Sequence, residues 1–80
     1  MVVRILCFGI AKDIMGGAFA EVETKEQITI QELRTLLEEK YPRLKQLSSF
    51  MIALNNQYAI GSETISANDE IAIIPPVSGG

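Results

Sequence analysis

One amphipathic helix with a legible start and stop, set among short strand-like runs, constrains this sequence most. Thr29 stands before an apolar-periodic stretch and Glu32 follows three residues later, the pairing of a capping box. Ile30, Leu33, Leu37 and Tyr41 recur at helical spacing, with Leu36 widening the stripe, while Gln31, Arg34, Glu38 and Glu39 are expected to face water. Pro42 disfavours helical backbone at Tyr41 and stops the helix there. A stripe of this kind is core packing, so it must lie against something flat and apolar.

The flanking sequence supplies that surface. Val2 to Phe8 is rich in β-branched and apolar residues, ends at Gly9 and reads as a strand. Its pleat sets Val3, Ile5 and Cys7 on one face and Arg4, Leu6 and Phe8 on the other. Residues 10–17 read as a connection with room for one helical turn over Ala11 to Met15. Gly16-Gly17 reads as a turn before a second strand, Ala18 to Thr24, giving a loose antiparallel hairpin. After the helix, Leu44 and Leu47 mark a short covering segment. Phe50 to Leu54 reads as a strand, Asn55-Asn56-Gln57 as a turn that tolerates positive φ, and Tyr58 to Ile60 as a short strand. Asn68-Asp69 turns the chain into a last strand, Glu70 to Ile74, which Pro75 ends. The order predicts an α+β domain in which the first and last strands pair at the centre of a mixed sheet over one main helix. This is the β-grasp, or ubiquitin-like, arrangement. Residues 1–75 form the expected domain and residues 76–80 a flexible Gly-Gly tail.

Composition narrows function by exclusion. The chain has 80 residues, a net charge of −3 and no basic run, which argues against nucleic acid, whose phosphates demand clustered Lys and Arg. No apolar stretch approaches the roughly 20 residues of a membrane span, and the first residues are too short an apolar run for a signal peptide. The single cysteine fits a reducing cytoplasm. Cys7 reads as a small core hydrophobe. With no histidine, the commonest general base and metal ligand are missing, and a structural zinc site is not expected. The reactive group this leaves is the carboxylate of Gly80. Pro75-Pro76 projects a segment nearly free of side chains, Val77-Ser78-Gly79-Gly80, a shape suited to a narrow passage in another protein. Extended, Pro76 to Gly80 spans about 17 Å. Parity places Leu6, Phe8, Ala72 and Ile74 on the outer face of the sheet, joined by Tyr58. So apolar an outer face on a small domain points to a partner.

Several segments together resemble the small subunit of molybdopterin synthase, a ubiquitin-like sulfur carrier. They are the opening strand with Arg4, the helix from Thr29-Ile30-Gln31-Glu32-Leu33-Arg34 to Tyr41-Pro42, and the turn Leu54-Asn55-Asn56-Gln57. The most specific is the closing run from Asn68-Asp69-Glu70-Ile71-Ala72 to Pro75-Pro76-Val77-Ser78-Gly79-Gly80. The last strand departs from the family, with Ile73 and Ile74 where the family carries aromatic residues. The resemblance implies that Gly80 is adenylated by an ATP-dependent, E1-like activating enzyme and converted to a thiocarboxylate. The tail, Pro76 to Gly80, then enters the large subunit of molybdopterin synthase and donates sulfur to a pyranopterin monophosphate. On the residues themselves, the chain is expected to bind no cofactor or metal, and the outer-face residues Leu6, Phe8, Tyr58 and Ile74 are expected to contact the partner. The alternatives are a related carrier for thiazole synthesis or protein modification, and a ubiquitin-like interaction module with an inert tail.

Overall fold

The computed structural model describes residues 1–47 and 49–76. Their elements run β1 (Val2–Cys7), α1 (Ile10–Met15), β2 (Phe19–Glu23), α2 (Ile30–Lys40), a 3-10 helix (Pro42–Gln46), β3 (Met51–Leu54), β4 (Gln57–Tyr58) and β5 (Ile71–Ile74). The strands form one sheet in the order β2-β1-β5-β3-β4. β1 pairs antiparallel with β2 and parallel with β5, so the first and last strands are neighbours at the centre. This is the mixed, helix-backed sheet of the β-grasp fold.

The capping box forms as its sequence requires. Glu32 N donates to Thr29 Oγ1 at 3.2 Å, and Thr29 N donates to Glu32 Oε1 at 2.9 Å. Lys25 Nζ adds an ion pair at 2.8 Å to Glu32 Oε2. That lysine and the Thr29 amide hold the Glu32 carboxyl down at about 2. Below this cap, Ile30, Leu33 and Leu37 are buried against Val3, Ile5, Ile52, Ile71 and Ile73, all at most 2% exposed. Leu44, in the 3-10 helix, is fully buried and closes one end of the core, with Leu47 packed beside it. Cys7 belongs to the same core, and burial pushes its thiol up.

Three local expectations are corrected and one is refined. The loose antiparallel β1–β2 connection forms as expected, and the glycine pair turns the chain in it. The pair also ends α1, with Gly16 at φ 89° and the amides of both glycines donating to Lys12 O. Arg34 does not simply face water: its Nη2 donates to Phe50 O at 2.8 Å and its guanidinium lies 4.2 Å from the Phe50 ring centroid. The short strand β4 ends at Tyr58, and Ile60 is left 87% exposed. Phe50 precedes β3 rather than opening it, although it is buried.

The turn after β3 is tied to the launch of β5. Asn55 and Asn56 take φ of 51° and 70°. Asn55 Nδ2 donates to Asp69 Oδ1 at 3.1 Å, Glu70 N donates to Asn55 Oδ1 at 2.9 Å, and Asn55 N donates to Glu70 O at 2.8 Å. Asp69 Oδ2 also accepts from Ser66 N at 2.7 Å. One asparagine thus satisfies the backbone of both strands where β5 begins. Exchanging Asn55 for Gly removes these side-chain bonds but keeps the backbone, and should cost about 1 kcal/mol. Exchange for Ala adds the positive-φ penalty, about 1 kcal/mol more. Urea denaturation of both variants measures the difference, and equal losses would show that the turn relaxes to another conformation.

Three carboxylates sit in hydrogen-bonded turns or caps with lowered pKa. Besides Glu32 they are Glu63, which accepts from Ile60 N and Gly61 N, and Asp69, which accepts from Ser66 N and Asn55 Nδ2. A carboxyl whose folded pKa is depressed stabilises the fold above its unfolded value and loses that contribution as pH falls through the folded one. Stability should therefore hold down to the ordinary glutamate value of 4.5 and then decline toward about 2, where Glu32 titrates. Glu32→Gln should flatten part of that decline, as followed by thermal unfolding across the acid range.

Candidate functional site

The sheet registers bring the expected outer-face residues together. Leu6 lies opposite Phe19 in β2 and Ala72 in β5, Ala72 lies opposite Ala53 in β3, and Ala53 lies opposite Tyr58 in β4. One row of the pleat thus reads Phe19, Leu6, Ala72, Ala53, Tyr58 across all five strands. Ile74 lies opposite Met51, and Phe8 falls one step beyond the Cys7–Ile73 pair, so Phe8, Ile74 and Met51 make a second apolar row. Leu6, Phe8, Tyr58 and Ile74 line one shallow groove of about 400 Å³, whose small floor residues are Ala53 and Ala72.

This face is open. Phe8 is 48% exposed and Tyr58 61% exposed. The burial pattern of β1 and β5 shows why: Val3, Ile5, Cys7, Ile71 and Ile73 are buried toward α2, and the intervening residues point away from it. A polar row bounds the apolar ones, with Arg4 opposite Glu21. The Arg4 guanidinium lies 4.1 Å from the Phe19 ring centroid, which supports that ring at the β2 end of the face.

Two exposed members were not anticipated, Phe19 at 51% and Met51 at 45%. The signal for Phe19 was its parity with Glu21 and Glu23 against the inward Ala20 and Val22. Met51 stands on the other side of the pleat from the buried Ile52.

The base of the tail adjoins the second row. Ile74 leads directly into Pro75, which is half-buried, and Pro76, which is exposed. Gly9 takes φ 55°, and a Cβ there would come within 3.1 Å of Pro75 Cγ. Glycine therefore lets the end of β1 and the first proline after β5 pack closely. The remaining expected tail residues, Val77, Ser78, Gly79 and Gly80, lie outside the described residues, as does the expected reactive carboxylate. No helix among the described residues is long and apolar enough to cross a membrane.

A β-grasp domain with an exposed apolar sheet face leading into Pro75-Pro76 has the architecture of a ubiquitin-like protein. The chain belongs to the ThiS family, whose model matches residues 5–80. The molybdopterin synthase sulfur carrier subunit of Caenorhabditis briggsae is 36% identical over 98% of this chain and 96% of its own length. The counterpart of the same name from Mycobacterium tuberculosis is 32% identical over 98% of this chain and 96% of its own. Among solved structures, a chain in the complex of subunits 1 and 2 of the Helicobacter pylori molybdopterin-converting factor superposes with a TM-score of 0.66. It is 27% identical, with both chains covered in full at 100%.

Proposed function

We propose that this chain is a sulfur carrier that delivers a thiocarboxylate on Gly80 to the large subunit of a molybdopterin synthase. The observation that carries the reading is the apolar outer face of the sheet, which continues through Ile74 into the Pro75-Pro76 exit of the tail. The relatives named as sulfur carrier subunits, which match almost the whole chain, support it.

The chemistry follows from what the chain has and lacks. It has no histidine, so it offers no imidazole as general base. A terminal carboxyl ionises at about 3.5, and its oxygens are poor leaving groups. The activating enzyme joins a Gly80 oxygen to the α-phosphorus of ATP, and pyrophosphate departs. A sulfur nucleophile supplied by a donor then displaces AMP, leaving the thiocarboxylate. In the large subunit that sulfur bonds to a carbon of the pyranopterin monophosphate, water cleaves the Gly80 acyl–sulfur bond and restores the carboxylate, and two such rounds make the dithiolene. Acid and base groups come from the large subunit. The carrier contributes recognition through Leu6, Phe8, Tyr58 and Ile74 and reach through Pro76, Val77, Ser78, Gly79 and Gly80. ATP is used by the activating enzyme, and the proposed setting is the cytoplasm.

Phe8→Asp tests the recognition surface. Phe8 is half exposed, so the variant should remain a folded monomer. Binding to the large subunit should weaken roughly thirtyfold, because a charge would be desolvated at an apolar contact. Titration calorimetry against the large subunit reads this directly, and an unchanged affinity would remove this face from the interface.

One alanine added after Gly80 tests the tail. It displaces the reactive carbon by about 3.4 Å and puts a methyl group where glycine should pass. After incubation with ATP, an activating enzyme and a sulfur donor, the original chain should gain the mass of one oxygen-to-sulfur exchange. The extended chain should gain none and should fail to support molybdopterin formation. An extended chain that restores cofactor synthesis, beside an original chain that never acquires sulfur, would refute the carrier role.

A further inference from the structure

One margin of the sheet combines an open strand edge with a neighbouring groove. β2 is an edge strand. Thr24 N donates to Met1 O at 2.7 Å and Cys7 N donates to Ala18 O at 2.8 Å, so the even-numbered residues of this stretch turn their backbone groups toward β1. By the alternation of antiparallel pairing, the N–H and C=O groups of Phe19, Glu21 and Glu23 point to the open edge. Beside that edge, between β2 and α2, runs a groove of about 540 Å³. Its apolar members are Ile28 and Leu36, and Glu23, Glu32 and Glu39 bring carboxylates to it. The lysine in its lining, Lys25, is engaged by Glu32.

We propose that this edge and groove bind an extended peptide of alternating apolar and basic residues from a partner protein, added to the sheet as a sixth strand beside β2. A strand placed there, about 4.8 Å from β2, takes up the backbone groups of Phe19, Glu21 and Glu23, which have no strand partner among the described residues. Its inward side chains lie over Ile28 and Leu36 and must be apolar. Its outward side chains stand beside Glu21 and Glu23, both exposed, and are matched by Lys or Arg across the pair. A second copy of this chain is a poor occupant, since its own β2 would set glutamates against glutamates. The groove shares no lining residue with the one formed by Leu6, Phe8, Tyr58 and Ile74.

The test uses the full chain and two synthetic peptides, one alternating Lys with Val and one alternating Glu with Val. In an NMR titration the Lys/Val peptide should bind saturably. It should shift the amides of Phe19, Glu21, Glu23, Ile28 and Leu36, and protect the three edge amides from exchange. The Glu/Val peptide should not bind, and added salt should weaken the Lys/Val complex. Glu21→Lys with Glu23→Lys, on exposed positions, should weaken it about tenfold while leaving sulfur acquisition at Gly80 unchanged. Absence of saturable binding by the Lys/Val peptide near millimolar concentration would overturn the proposal. So would equal binding of the two peptides, or shifts centred on Leu6, Phe8 and Tyr58. Dimerisation through the β2 edge, seen by sedimentation, would also overturn it.

Discussion

The parallel pairing of β1 with β5 is the constraint on which the rest depends. It joins segments from opposite ends of the chain, Ile5 beside Ile71 and Cys7 beside Ile73, and all four side chains are buried at 2% exposure or less. Closing so long a loop costs entropy that local turns cannot offset. The offset comes from burial, roughly 1.5–3 kcal/mol for each large apolar side chain taken from water. α2 completes that burial. Its capping box fixes where the helix starts and so which residues reach the sheet. The central pair also decides where the chain leaves the domain, since β5 runs alongside β1 and delivers Pro75 next to Gly9.

Strand alternation then divides the sheet into an apolar inner face and an outer face whose apolar rows are bordered by Arg4 and Glu21. The inner residues Val3, Ile5, Ile71 and Ile73 meet α2. The outer residues Leu6, Phe8, Ala72 and Ile74 are no more polar, yet no element among the described residues covers them. A small domain keeps such a face open at a cost in solubility. The face is continuous with the Pro75-Pro76 exit, so under the proposed carrier role a partner docked on it would stand at the root of the tail.

Most of the β-grasp pattern could be read from residue patterns alone. The helix was legible from Thr29, Glu32 and Pro42, and the inner and outer faces of β1 and β5 from simple alternation. The resemblance to sulfur carriers was legible in the closing run from Asn68 to Gly80. Readings failed where a local pattern had two structural outcomes. Phe50 looked like the start of β3 because a buried aromatic residue reads alike inside a strand and just before it. Arg34 looked like a solvated helix residue because its partner, Phe50, lies 16 positions away in sequence.

The sequence by itself determined the order of the main elements, the capping of α2 and the alternation of the strands. These rest on local geometry and on the side chains present. Tertiary structure alone decided the registers. Only the cross-strand pairs placed Phe19 in one row with Leu6 and Tyr58, and set Met51 beside Ile74. Only the sheet order left β2 at an edge beside the α2 groove. Residues far apart in the chain meet through long-range burial, and no pattern within a single segment records which of them will be neighbours.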